Sequence, residues 1–145
     1  MAITFVLLEI VRLLAWAPAH EKAERLLLRS QDELVLAWKA DGGAEADVPK
    51  VDWSKEMVLA AFMGARRTGG YEVKIERVVF GTEPGELYVI YKETVPGADD
   101  ATTQAISHPN HVVVVAKREV NKTVWLEASS AEAKQMLEAI QAGGK

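Results

Sequence analysis

Side-chain chemistry in this 145-residue chain concentrates at three histidines, His20, His108 and His111, and in a run of arginines and glycines between positions 64 and 71. Imidazole is a common zinc ligand, and the three-residue spacing of His108 and His111 would suit one face of a helix. Pro109 lies between them, however, and on a strand or loop residues three apart do not normally converge. A third ligand would have to come from His20, Asp99 or Asp100, and no spacing in the sequence brings any of these to the pair. The expectation is no metal, with His108 and His111 as loop histidines solvating the entry to a strand. Asp99-Asp100, just after Pro96-Gly97, has the composition of an acidic turn and too few oxygen ligands at fixed offsets for calcium.

The segment Gly64-Ala65-Arg66-Arg67-Thr68-Gly69-Gly70-Tyr71 spaces its glycines loosely like a phosphate loop. No Lys-Ser or Lys-Thr follows, and the next pattern is a strand, not a helix, so a nucleotide site is not expected. Structurally, the glycines suit a tight turn with positive φ ahead of a strand starting at Tyr71. Functionally, Arg66 and Arg67 are bidentate donors for a carboxylate, and Tyr71 is a rigid amphipathic anchor. Arg66, Arg67, Thr68, Gly69, Gly70 and Tyr71 are therefore the candidate binding residues. Ser54, Ser107, Ser129 and Ser130 lack a nucleophile elbow, and no pair of carboxylates stands apart from a solvated β face. No nucleophile, base and orienting group can be named together, so neither an enzyme nor a cofactor is expected.

The elements that must position this loop follow from composition and patterning. A chain of this length can bury roughly 70% of its unfolded surface around one core, which predicts a single domain over residues 1–145. A hydrophobic fraction of 49% and a charged fraction of 26% are those of a globular protein. With a net charge of −4, the chain lacks the positive field of a nucleic-acid binder. The absence of cysteine rules out disulfides, thiolate metal sites and thiol nucleophiles, and is compatible with the cytoplasm, the expected location. Ala15-Trp16-Ala17 after an apolar stretch faintly resembles an export signal. Against that, no Lys or Arg precedes the stretch, Glu9 and Arg12 interrupt it, and Pro18 stands next to the would-be cleavage point. A structural strand is the expectation, with export left open.

Ile3 to Leu14 has the near-continuous apolar character of a long or bent core strand covered on both faces. Ala23 to Arg29 follows as a short strand. Ser30 with Glu33 forms a capping box that predicts a helix from Gln31 to about Ala40, stopped by Asp41-Gly42-Gly43. Strands are then predicted as a β-meander over Glu56–Phe62, Tyr71–Phe80, Glu86–Thr94, His111–Lys117 and Thr123–Glu127. Turns at Gly64–Gly70, Gly81-Thr82-Glu83-Pro84-Gly85 and Asn121-Lys122 punctuate them. In the second of these, Tyr71, Val73, Ile75 and Val79 are expected on one face, with Arg77 as a break. Ser129 and Glu132 form a second capping box before a C-terminal helix with the stripe Ala133, Met136, Leu137 and Ile140, ended by Gly143-Gly144. Trp38 and Trp125 belong to packing positions, while Trp16 and Trp53, near strand ends, are placed to pack or to rim a cleft. The predicted class is α+β, mainly β: an antiparallel sheet or two-layer β-sandwich of about seven strands with a short inserted helix and a C-terminal helix.

Several pieces in order resemble the PrcB C-terminal domain, a family named for a bacterial subunit associated with a surface serine protease complex. They are Asp52-Trp53-Ser54-Lys55, Phe62-Met63-Gly64, Arg67-Thr68-Gly69-Gly70-Tyr71, Val95-Pro96-Gly97, Thr103-Gln104-Ala105, and Pro109 ahead of His111-Val112-Val113-Val114-Val115-Ala116-Lys117. The likeness covers residues 52–117 and implies a non-catalytic module that binds or stabilises a protein partner, a protease in the named case. A weaker similarity links the Thr-Gly-Gly-Tyr loop to chagasin-like protease inhibitors, which implies a loop that enters an active-site cleft. Here Gly70 is an extra residue before Tyr71, and no Asn-Pro precedes the threonine. Exposed sheet edges also leave a homodimer open.

Overall fold

The computed structural model describes residues 5–81 and 85–143. Ile3, where the first predicted strand begins, Thr82-Glu83-Pro84 of the predicted turn and Gly144 lie outside the described residues. Eight strands form two four-stranded sheets. They are β1 (Phe5–Leu8), β2 (Ile10–Leu13), β3 (Ala23–Leu28), β4 (Glu56–Met63), β5 (Glu72–Gly81), β6 (Glu86–Thr94), β7 (Asn110–Ala116) and β8 (Lys122–Glu127). One sheet has the order β1-β5-β6-β8 and the other β2-β7-β4-β3. Helix α1 (Gln31–Ala40) lies between β3 and β4, and α2 (Ala131–Gly143) follows β8. The mainly-β, two-layer class with two helices holds.

The apolar run at the N-terminus is bent, as its length suggests, but it is not one strand covered on both faces. It pairs first with β5, Leu8 opposite Val78, and after Glu9 it crosses to the other sheet, where Ile10 lies opposite Val115. A strand that switches sheets makes a corner. The crossing turns alternate side chains outward, and Leu7, Val11 and Leu13 are more than half exposed. The β-meander is also corrected. β4 and β5 are in different sheets, β4 pairing with β3 and β7 while β5 pairs with β6 and β1. β8 runs parallel to β6, with Leu87 opposite Thr123 and Val89 opposite Trp125. A parallel neighbour cannot be reached by a tight turn. β7 and β8 also lie in different sheets, so Asn121 closes no hairpin between them; its N–H donates to the Gly85 carbonyl at 2.8 Å.

The core between the sheets takes alternate residues from each central strand. Met57, Leu59, Ala61 and Met63 of β4 face inward with Val113 and Val115 of β7, against Val73, Ile75, Val78 and Phe80 of β5 and Leu87 and Val89 of β6. The other face of β4 and β7 is equally apolar. Val58, Ala60, Phe62, Val112 and Val114 pack under α1 with Leu34, Trp38 and Trp16. Both faces being covered accounts for the unbroken hydrophobic sequence of these two strands. Trp16 is thus a core residue, meeting Trp38 and Phe62 edge to face at 5.0 and 5.3 Å. Trp53 packs against the same cluster and donates from Nε1 to Gln31 Oε1 at 2.7 Å.

Local capping set the helix starts. The Ser30 hydroxyl accepts from the Glu33 N–H at 3.1 Å, and Glu33 returns a carboxylate to the Arg29 N–H at 2.7 Å. At α2 the cap is Ser130, not Ser129, because the Ser129 N–H and hydroxyl are both engaged by Glu127 and the Ala133 N–H donates to Ser130 Oγ at 3.1 Å. In β5 the register shifts between Ile75 and Arg77. The shift carries Val78 and Phe80 into the inter-sheet core, while Val79, expected on the face of Val73 and Ile75, is buried on the other face of the sheet.

Candidate protein-binding surface

Gly64 ends β4 with φ of +81°, where a side chain would be strained, and an added Cβ would come within 2.8 Å of the Ala23 nitrogen. The chain then turns along the segment that precedes β7. Arg66 and Ser107 exchange backbone hydrogen bonds of 2.8 and 2.9 Å, the Ser107 hydroxyl donates to the Thr68 carbonyl at 2.8 Å, and the Gly69 N–H donates to the Thr103 carbonyl at 3.1 Å. Gly70 follows with φ of +90°, so close to Pro96 and Thr102 that a Cβ would sit 3.0 and 3.1 Å from their side chains. Residues 64–71 and 95–107 therefore form one joined loop cluster at an end of the sandwich.

The six sequence candidates divide by burial. The Arg66 guanidinium lies over the Tyr71 ring at 5.2 Å, and both residues are half-buried, Tyr71 against the inter-sheet core. Arg66 Nε is buried with no acceptor among the described residues. Thr68 and Gly69 are half-buried against the neighbouring segment, while Arg67 and Gly70 are exposed. Two apolar side chains on the adjoining segment stand in solvent beside them: Val95 is 63% and Ile106 68% exposed. Neither was among the candidate binding residues, Val95 entering only through the Val95-Pro96-Gly97 resemblance, since exposure of a lone Val or Ile leaves no sequence signal.

The histidines occupy three separate environments. His108 Nε2 is 2.7 Å from Glu21 Oε2, beside the loop cluster, where the Ala65 N–H donates to the Glu21 carbonyl. His111 Nδ1 accepts from the Ile75 N–H at 2.8 Å, joining β7 to β5 across the sheets. Burial holds the His111 ring below its ordinary value, Lys74 adds to the effect and Glu72 opposes it. His20 is stacked on Phe62 at 3.9 Å, with Nδ1 2.7 Å from Asp41 Oδ2 and Nε2 2.9 Å from Glu24 Oε1. The same Asp41 oxygen accepts from Trp16 Nε1 at 2.9 Å. His20 and Asp41 are 21 residues apart in sequence, which hides this clasp from motif analysis. Among the described residues no hydroxyl is bonded to it, and its geometry ties the strand-to-strand connection at residues 14–22 to the end of α1. Among the described residues no three His, Asp or Glu side chains are grouped to hold a metal ion.

These features define a β-sandwich domain with α1 packed outside one sheet. Within it residues 57–116 match the family model described as PrcB C-terminal. The match contains β5, β6, β7 and all of β4 but Glu56, the two inner strands of each sheet. It also spans the whole loop cluster, and it begins after Asp52-Trp53-Ser54-Lys55 and ends just before Lys117. No curated protein and no solved structure matches the chain. No helix among the described residues is long and apolar enough to cross a membrane.

Proposed function

We propose that the protein is a non-catalytic protein-binding module whose contact surface is the loop cluster formed by residues 64–71 and 95–107. The observation that carries this reading is the exposure of Val95, Ile106 and Arg67 on two loop segments already joined by reciprocal backbone bonds between Arg66 and Ser107. Apolar side chains held in solvent on a preorganised scaffold lose little entropy on docking, and an exposed arginine on the same loop cluster can add a charge-assisted contact. The PrcB C-terminal family points to a protease or protease-complex subunit as the partner. Because the two segments stand side by side at one end of the sandwich, a second reading is a protease inhibitor that inserts this end into a cleft.

Arg66 and Tyr71 support the loop, so the informative variants are at Arg67, Val95 and Ile106. Arg67→Glu, Val95→Asp and Ile106→Asp combined should abolish capture of a protease or protease subunit from the native lysate while circular dichroism and the unfolding midpoint remain those of the wild type. Equal capture by the folded triple variant would refute the surface. Inhibition of turnover in a panel of cysteine and serine proteases would select the inhibitor reading.

A further inference from the structure

The corner made by β1 and β2 leaves a crevice that the protein-binding reading does not use. It has a volume of about 690 Å³, within the ~300–1,000 Å³ of small-molecule sites. Its walls are Leu7 and Leu13 from the corner, Leu137 and Ile140 from α2, and Ile90 from β6. Leu7 and Leu13 are 53% and 66% exposed, apolar surface that the corner leaves in solvent beside the buried Leu8. The polar groups are Lys74 and Arg77 from β5, His111 from β7 and Gln141 from α2, with Glu76 the one acid among the described lining residues.

His111 fixes the character of the polar part. Its Nδ1 accepts from the Ile75 N–H, which places the proton of the neutral ring on Nε2. No described residue accepts from that Nε2–H, so the ring retains a donor for a ligand. Lys74 is close enough for its charge to act on the ring, and Arg77 uses one Nη1 bond on the Glu76 carbonyl while the rest of its fork is free of described side-chain partners. Donors and positive charge thus adjoin branched apolar walls, on a protein whose net charge is negative.

We propose that this crevice binds an amphipathic monocarboxylate of the fatty-acid class, its carboxylate at Lys74 and His111 Nε2 and its tail between Leu13 and the Leu137–Ile140 face of α2. An apolar wall removes tail surface from water, and charge-assisted bonds fix the head. A neutral apolar ligand would leave the donors unmet, and a cationic amphiphile would face Lys74 and Arg77.

The test is calorimetric titration with dodecanoate below its micellar concentration, followed by nitrogen NMR of the His111 ring. Saturable one-to-one binding that shifts the His111 Nε2 resonance is expected. Acetate, which lacks the tail, and dodecyltrimethylammonium, which reverses the charge, should not bind. Lys74→Glu should weaken dodecanoate at least tenfold and Lys22→Glu, an equal charge change outside the crevice, should leave it unchanged. If Lys74→Glu fails to fold, Arg77→Glu serves the same purpose. Non-saturable uptake of dodecanoate, equal binding of the cationic amphiphile, or an unchanged affinity in a folded Lys74→Glu protein would overturn the proposal.

Discussion

His111→Ala is the single substitution that best tests how the two sheets are joined. β1 accompanies β5 only from Val78 onward, so the earlier part of β5 has no strand from the corner beside it. There the Ile75 N–H is satisfied by the His111 ring at 2.8 Å, and Ile75 itself is buried. Removing the ring strands a buried donor, a loss of about 1–3 kcal/mol. Asn carries an acceptor oxygen at the same δ position, so His111→Asn should recover much of that loss. The pH dependence carries an independent signature. The folded ring is held below its ordinary value of 6.5, mainly by burial, whereas the unfolded ring titrates at the ordinary value. Between the two the unfolded chain binds the additional proton, so stability is full above 6.5 and declines as pH falls through the folded value. Solvent around the half-exposed ring keeps that slope shallow. Urea unfolding of wild type, His111→Ala and His111→Asn from pH 8 to 5.5 reads both effects. Only the wild type should lose stability in step with histidine protonation at this site. An Ala variant within about 0.5 kcal/mol of wild type, a gap smaller than a typical buried hydrogen bond, would refute the assignment. So would an Asn variant with the wild-type slope.

Asp41→Ala removes the shared acceptor of Trp16 and His20 and should destabilise the fold by about 1–3 kcal/mol in urea unfolding, accompanied by a change in tryptophan fluorescence from the Trp16–Trp38 pair. A variant as stable as wild type would show that the clasp contributes nothing. Ser130→Ala should cost about 1 kcal/mol through loss of the α2 cap, whereas Glu132→Ala should be near neutral because Glu132 does not complete a capping box. The reverse order in chemical unfolding would return the cap to Ser129.

What was legible in the sequence was whatever local stereochemistry decides. Ser30 and Glu33 placed α1 at Gln31–Ala40, and the turn residues around it placed β6 at Glu86–Thr94, both with the boundaries the structure shows. Where two local solutions compete, the sequence is silent. Ser129 and Ser130 are equally good caps until Glu127 is seen to occupy the first. Pairing partners were not legible, because a parallel β6–β8 ladder and a strand that changes sheets at Glu9 depend on contacts far apart in the chain. Arg77 was visible as a break in β5. That the break turns Val78 into the inter-sheet core and buries Val79 on the other face of the sheet follows only from the pairing of Ile75 with Tyr91 and of Arg77 with Ile90. The glycines announced the 64–71 loop, yet its companion segment with Val95 and Ile106 is joined to it by backbone bonds that no residue type encodes.

β5 carries both surfaces, and its geometry keeps them separable. The strand leaves the loop cluster at Gly70 and Tyr71, contributes Lys74 and Arg77 to the crevice, and reaches β1 only at Val78. At about 3.3 Å per residue Lys74 lies ~13 Å along the strand from Gly70. The Glu72–Thr94 and Val73–Glu93 pairs of the β5–β6 ladder stand between them. Lys74→Glu alters charge on the outward face of β5 without touching the Arg66–Ser107 bonds that fix the loop. A protein that loses dodecanoate but keeps its protein partner therefore separates the crevice from the loop end. Loss of the partner alone, through Arg67, Val95 and Ile106, does the converse. If either set of substitutions abolished both activities in a folded protein, the shared strand would have to transmit the change, and the loop and crevice would be one surface.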